Sequence, residues 1–239
     1  MCGFSGSVLM GGVIDRDVME TAVRRMCDGM WARGPDAVGY WSDTDAGLSL
    51  GHRRLAIIDL DARANQPMLS DDDRYAIVFN GEIYNFRELR RVLERDGEAF
   101  RTQSDTEVLL KLYAREGEAM LSRLRGMFAF AIWDRQTRSV FLARDPYGIK
   151  PLYFGRCKEG WLFASQVKAL LLSGLVAHEP DPLGQAGFWL LGSVPESRTW
   201  FRDISALPAG CWCRISVDGQ FAGPHKYWDI GDSWRDAPE

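Results

Sequence analysis

Histidine is scarce in this 239-residue chain: there are three, His52, His178 and His225. They stand far apart and share no ligand spacing with a cysteine or carboxylate pair, which argues against a metal centre. Cysteine is nearly as sparse. Cys2, Cys27, Cys157, Cys211 and Cys213 are odd in number and scattered, so they form no disulfide framework and suit a reducing compartment. In GCWCRIS, strand alternation puts Cys211 and Cys213 on one face, where they read as small core hydrophobes. No apolar run approaches the roughly 20 residues that cross a bilayer. The opening MCGFSGSVLMGGVID has no Lys or Arg before its first acidic residue, Asp15, and so does not read as a secretory leader. A large excess of either charge is also missing: the formal net charge of -4 gives no reason to expect nucleic acid or an anionic membrane. A cytoplasmic protein with neither nucleic acid nor membrane as partner is expected.

What is present is a globular composition, 46% apolar and 26% charged, enough for one large domain or two small ones. Short apolar runs rich in aromatic and branched residues predict strands at GLSLGH (47–52), YAIVFNG (75–81), MFAFAIWD (127–134), SVFLARD (139–145), PLYFGR (151–156) and WLFAS (161–165). Turn material such as DRQTRS between them predicts hairpins and antiparallel sheet. Helical spacing runs from Asp15 to Trp31, with Val18, Ala22, Met26 and Met30 as its apolar stripe. A second helix, 86–97, carries Phe86, Leu89, Val92 and Leu93 on one side and stops at Gly97. A third, 104–117, opens with a capping box from Ser104 to Glu107 and ends at Gly117. From about Val176 the prolines of HEPDPLGQAGFWLLGSVPESRTW break the periodicity, as a connecting or interface segment does. GCWCRISVDG then reads as one more strand before the polar end SWRDAPE.

Four weak signals for chemistry lie along this chain. Cys2 stands behind a removable Met1, so one residue would carry a thiol and an α-amine suited to act as its base; on these two residues alone, an incidental start-site cysteine is the favoured explanation. Asn80 and Gly81 at a strand end could donate to an oxyanion, or could simply be a hairpin turn. Arg54 could fork a carboxylate and Asp105 accept from an ammonium group; alternatively they are a surface ion-pair residue and a helix first-turn acid.

The order of these residues, with the motifs around them, carries a resemblance. CGFSG at Cys2, RGPDAVGYW at Arg33, GHRRLAIIDL at Gly51, NQPM at Asn65, FNGEIYNFRELR at Phe79, SDTEVLL at Ser104, GMFAFAIWD at Gly126, ARDPYGIKPLYF at Ala143 and ASQVKALL at Ala164 cover about 2–172. The chain resembles the glutaminase domain of class II, N-terminal nucleophile glutamine amidotransferases, and within them the N-terminal domain of glutamine-hydrolysing asparagine synthetases. NGEIYN carries the narrower likeness. Two departures stand out: Ala32 replaces the histidine expected before RGPD, and Arg53 stands at an acidic or variable position, so the loop around Arg33 could close differently.

The resemblance implies an α+β fold, a four-layer αββα sandwich with mainly antiparallel sheets. It implies Cys2 as nucleophile, Asn80 and Gly81 as oxyanion hole, Arg54 for the glutamine carboxylate, and Glu82 and Asp105 for its amino group. Ile57 and Ile58 would help through backbone atoms, their side chains being packed. Residues 2–175 are then the glutaminase domain, and 176–239 the rest of it and the connection toward a synthetase domain that this stretch does not contain. Nothing here fits an SGG-type pyrophosphate loop, a P-loop or a dinucleotide fingerprint. Glutamine hydrolysis needs no cofactor or metal, whereas ATP and Mg belong to the synthetase step. Expected partners are glutamine, a C-terminal synthetase domain or subunit, and a second copy in a homodimer. Two other readings stand beside this one: a related amidotransferase with a different ammonia acceptor, and a non-catalytic glutamine-binding module.

Overall fold

Alternation in the apolar runs becomes two six-stranded sheets in the computed structural model, which describes residues 1–10, 16–158 and 160–235. In chain order the elements are β1 (Gly3–Leu9), α1 (Arg16–Gly29), β2 (Ala37–Asp43), β3 (Leu48–Arg54), β4 (Met68–Leu69), β5 (Tyr75–Ile83), α2 (Phe86–Arg95), α3 (Asp105–Glu116), β6 (Gly126–Asp134), β7 (Ser139–Arg144), β8 (Tyr153–Cys157), β9 (Gly160–Ala164), α4 (Val167–Leu172), α5 (Pro182–Leu191), β10 (Ile204–Ala206), β11 (Cys211–Ser216), β12 (Phe221–Lys226) and α6 (Ile230–Arg235). One sheet has the order β10-β8-β9-β1-β3-β2, the other β12-β11-β7-β6-β5-β4, and every pairing is antiparallel.

Period-two alternation divides each strand between two cores. On β5, Tyr75, Ile77 and Phe79 join Leu89, Leu93, Val108 and Leu112 of α2 and α3. Ala76 and Val78 turn the other way and meet Ala129, Ala131, Phe4, Leu50 and Phe163 between the sheets. A third core joins Met19, Val23 and Met26 of α1 to Leu170 of α4 and Leu162 of β9. Three cores separate four layers, helix, sheet, sheet and helix, and the alanines on the facing strands let the two sheets pack closely. Cys211 and Cys213 sit together in the middle core, as their spacing predicted.

Four local expectations need correction. Helix α1 buries Met19, Ala22, Val23 and Met26, with Met30 just beyond it, whereas Val18 is exposed. A strict four-residue step advances about 400° and drifts off the face, so an alternating three-and-four step marks the buried stripe better; Asp15 lies outside the described residues. At α3, Ser104 Oγ accepts from the Glu107 N–H at 3.3 Å, but the Glu107 carboxylate does not return to Ser104. It accepts instead from the N–H groups of Arg101 (2.8 Å) and Thr102 (2.7 Å) and from Thr102 Oγ1 (2.6 Å). The expected capping box is half made. Third, the segment after Val176 contains the helix α5. Pro182 stands in its first turn, where a missing N–H costs nothing, and Asp181 Oδ1 accepts from the Leu183 N–H at 3.1 Å. This helix leaves Leu183, Trp189, Leu190 and Leu191 exposed. Fourth, Asn80 and Gly81 form no turn. They lie inside β5, opposite Ala129 and Phe128 of β6. Of the polar end SWRDAPE, 236–239 lie outside the described residues.

Candidate active site

Register places the first group. Gly3 of β1 pairs with Arg53 of β3, so Cys2 arrives beside Arg54 and Leu55 at the open end of two central strands. Its Sγ receives the Leu55 N–H at 3.4 Å and reaches the Leu55 carbonyl at 3.6 Å. Arg33, on the turn after α1, donates its Nε to the Cys2 carbonyl at 2.8 Å. With its carboxamide oriented so that both ends are paired, Asn80 donates Nδ2 to the same carbonyl at 3.0 Å and accepts from Arg33 Nη2 at 3.2 Å. Asn80 can do this because even-numbered residues of β5 face the other sheet.

Backbone alternation places the second group. The Phe79 N–H donates to Gln66 Oε1 at 2.6 Å and the Ile83 N–H to Asp105 Oδ2 at 3.1 Å, so both point away from β6. The Gly81 N–H, midway between them, has the same direction and opens into the space they flank. A side chain there has no room, since a Cβ would lie 2.3 Å from the Met127 carbonyl and 2.7 Å from the Phe79 ring.

Cys2, Arg54, Ile57, Ile58, Asn80, Gly81, Glu82 and Asp105 all line one cavity of about 110 Å³. Asp105 is the first residue of α3 and is 5% exposed. Burial pushes its carboxyl up to about 6, the nearby Glu82 charge acting in the same direction and the backbone N–H groups of Ile83 and Thr106 opposing it. Burial likewise raises the Cys2 thiol, against the lowering effects of the Leu55 contact, the amino terminus and Arg54. The buried His52 is pulled down to about 4, also by burial, and stays neutral with Nε2 on the Phe79 carbonyl at 3.0 Å. It ties the sheets together and lies outside the cavity lining.

Two residues differ from expectation. Arg54 faces the cavity, but its guanidinium is engaged by its own following loop: Nη1 by the Asp61 carbonyl (3.1 Å) and Asn65 Oδ1 (2.6 Å), Nη2 by the carbonyls of Asp59 and Ile58, the latter at 3.4 Å. Ile57, expected to be packed, is 71% exposed, because that loop turns its side chain outward; Ile58 is half-buried. The cavity also recruits residues to which sequence reading gave no role. Gln66 spans it from the Phe79 N–H to Thr106 Oγ1 (3.1 Å), Leu55 contributes backbone, and Lys150 reaches it from the turn after β7. NQPM and ARDPYGIKPLYF contained Gln66 and Lys150, yet only the strand order shows what they face.

The family model for the glutamine amidotransferase domain matches residues 1–228. Asparagine synthetase [glutamine-hydrolyzing] 1 of Bacillus subtilis is 39% identical over 220 residues, 92% of this chain and 34% of the relative. A putative glutamine-hydrolysing asparagine synthetase of Mycobacterium tuberculosis is 43% identical over 83% of this chain and 32% of the relative. The chain thus spans about a third of the length of these curated relatives. Among solved structures, the glutamine phosphoribosylpyrophosphate amidotransferase of B. subtilis, complexed with ADP and GMP, aligns with a TM-score of 0.66 at 21% identity, over 94% of this chain and 49% of that one. Its likeness extends to the fold, a four-layer αββα sandwich. On the family match and the level of identity to these synthetases, the chain belongs to the glutamine amidotransferase domain family.

Proposed function

We propose that this chain hydrolyses glutamine to glutamate and ammonia, with Cys2 as the nucleophile once Met1 has been removed. The observation that carries this reading is the meeting, in one cavity, of a thiol just ahead of β1, an arginine at the end of β3, an Asn–Gly pair and a carboxylate on β5, and a second carboxylate at the start of α3.

Glutamine enters with its α-ammonium toward Asp105 and Glu82 and its α-carboxylate toward Arg54, whose 3.4 Å bond to Ile58 is the weakest and the first to yield. The freed α-amine of Cys2 takes the thiol proton, and Sγ bonds to the side-chain amide carbon. Negative charge gathers on the amide oxygen, where the Gly81 N–H and the second Asn80 Nδ2 proton can receive it. The C–N bond then breaks, and the amine returns its proton so that ammonia leaves. Water, deprotonated by the same amine, cleaves the γ-glutamyl thioester to release glutamate and restore the thiol.

No cofactor enters these steps. The ammonia serves the ATP-dependent conversion of aspartate to asparagine in a cytoplasmic synthetase domain or subunit, toward which residues 176–239 lead. The exposed Leu183, Trp189, Leu190 and Leu191 of α5 suit a surface that such a partner covers.

Intact mass of the purified protein before and after a glutamine-like electrophile tests the reading. Loss of Met1 and a single adduct on Cys2 are expected; retained Met1 or no adduct would sink it. Cys2→Ala should abolish ammonia release while glutamine binding, read by calorimetry, persists. Residual turnover in that variant would refute the role of the thiol.

A further inference from the structure

Lys150 is 3% exposed and lines the same cavity as Cys2. Its backbone is fixed: the N–H donates to Asp145 Oδ2 at 2.9 Å and the carbonyl accepts from Arg144 Nε at 2.8 Å. Its ammonium group is another matter. Among the described residues, its one hydrogen-bond partner is the Met1 thioether, Nζ to Sδ at 3.0 Å, and it makes no ion pair. Asp145 is near but spent, since its two oxygens accept from the N–H groups of Phe128 (3.2 Å), Tyr147 (3.1 Å), Ile149 (3.0 Å) and Lys150 itself. A buried ammonium without an anionic partner is costly, and that cost calls for a function.

The charged groups around it come from several elements. Arg33 from the turn after α1 and Arg54 at the end of β3 are cationic, and Glu82 of β5, Asp105 of α3 and Asp145 are anionic. Burial, with Arg33 adding to it, pulls the Lys150 ammonium down, while Asp145, Cys2 and Glu82 oppose this. Met1 is the partner that maturation takes away. Its loss leaves the ammonium facing the two groups that replace it in the cavity, the Cys2 thiol and the newly freed α-amine.

We infer that Lys150 is an electrostatic positioning residue: its fixed positive charge favours the ionised Cys2 thiol and the uncharged α-amine, and so sets the pH range of hydrolysis. This rests on the glutaminase reading above. A cation beside both groups lowers both proton affinities, as a neighbouring cation does for an amine nucleophile. Lys150 neither touches the scissile amide nor moves a proton.

The test is the pH profile of kcat/KM for the mature protein and for Lys150→Met, which keeps length and removes charge. Removing the cation should move the acid limb up by about one pH unit, roughly a tenfold loss of rate below the limb. Lys150→Arg should bring the limb back. An unmoved limb, or a loss confined to KM at every pH, would overturn the inference. Should Lys150→Met fail to fold, Lys150→Gln removes the charge with a polar side chain, and the midpoint of Cys2 alkylation by iodoacetamide against pH should lie higher in it than in the native protein. An equal or lower midpoint refutes the inference. Native protein that alkylates at Cys2 yet releases no ammonia fails the glutaminase reading, while the same titration still judges Lys150.

Discussion

A carboxylate shut away from water, as Asp105 is, keeps its proton up to about pH 6. The folded chain therefore binds this proton more tightly than the unfolded chain, whose carboxyl has its ordinary value near 3.8. Asp105 weakens the fold at pH 7, and the penalty fades as pH falls through 6 toward 4. Urea denaturation of Asp105→Asn should show a gain on the order of 2–3 kcal/mol at pH 7 and little gain near pH 4. The same substitution should cost glutamine affinity, and in the native protein that affinity should decline as pH drops below 6; calorimetry at pH 5 and 7.5 reads both. A cost to the fold of this kind is what the proposed role of Asp105 in holding the glutamine ammonium group would account for. Sequence reading reached Asp105, Cys2, Arg54 and Asn80 because each stands in a dense motif. It gave no role to Lys150, Gln66 or Leu55, whose contributions depend on cross-strand register or on backbone atoms, and neither leaves a mark on residue type.

Helices α2 and α3 were legible to within a residue or two because caps and glycines punctuate them. The fold also shows why a motif match can mislead about partners. Ser104 caps α3, but Glu107 braces the turn at Arg101 and Thr102, three hydrogen bonds in all. Ser104→Ala should cost about 1 kcal/mol. Glu107→Ala should cost more, roughly 2–4 kcal/mol, because it leaves a buried Thr102 N–H and hydroxyl without this acceptor. Chemical denaturation of the two variants ranks them, and equal losses would mean that the turn is braced elsewhere. Strand β5 makes a parallel case. Its Asn–Gly pair reads as a hairpin turn by local chemistry, yet both residues lie mid-strand, and the glycine is there because β6 leaves no room for a methyl group. Gly81→Ala should lower stability by about 1–3 kcal/mol and should also impair ammonia release, by displacing the N–H aimed into the cavity.

Across the whole molecule, seven strands were readable individually, but their order was not. β1 lies between β3 and β9, and so joins parts of the chain more than a hundred residues apart. Such pairing depends on matching faces rather than on any local signal. The segment after Val176 shows the same limit. Its β10 pairs with β8 in one sheet, and β11 pairs with β7 in the other, bringing Cys213 and Ile215 into the middle core. A chain cut after Leu175 should therefore lose an edge from each sheet and expose β7 and β8. Light scattering should show it aggregating under conditions where the full chain stays monodisperse.

The way Cys2 is held has a practical consequence. Arg33 and Asn80 both grip its carbonyl, and Met1 already lines the cavity, so the chain enters β1 by passing through that cavity. Any affinity tag fused ahead of Cys2 would be threaded through it and would acylate the amine on which the proposed hydrolysis depends. Recombinant protein meant to test that proposal must carry its tag at the other end, or be released by a protease that leaves cysteine first.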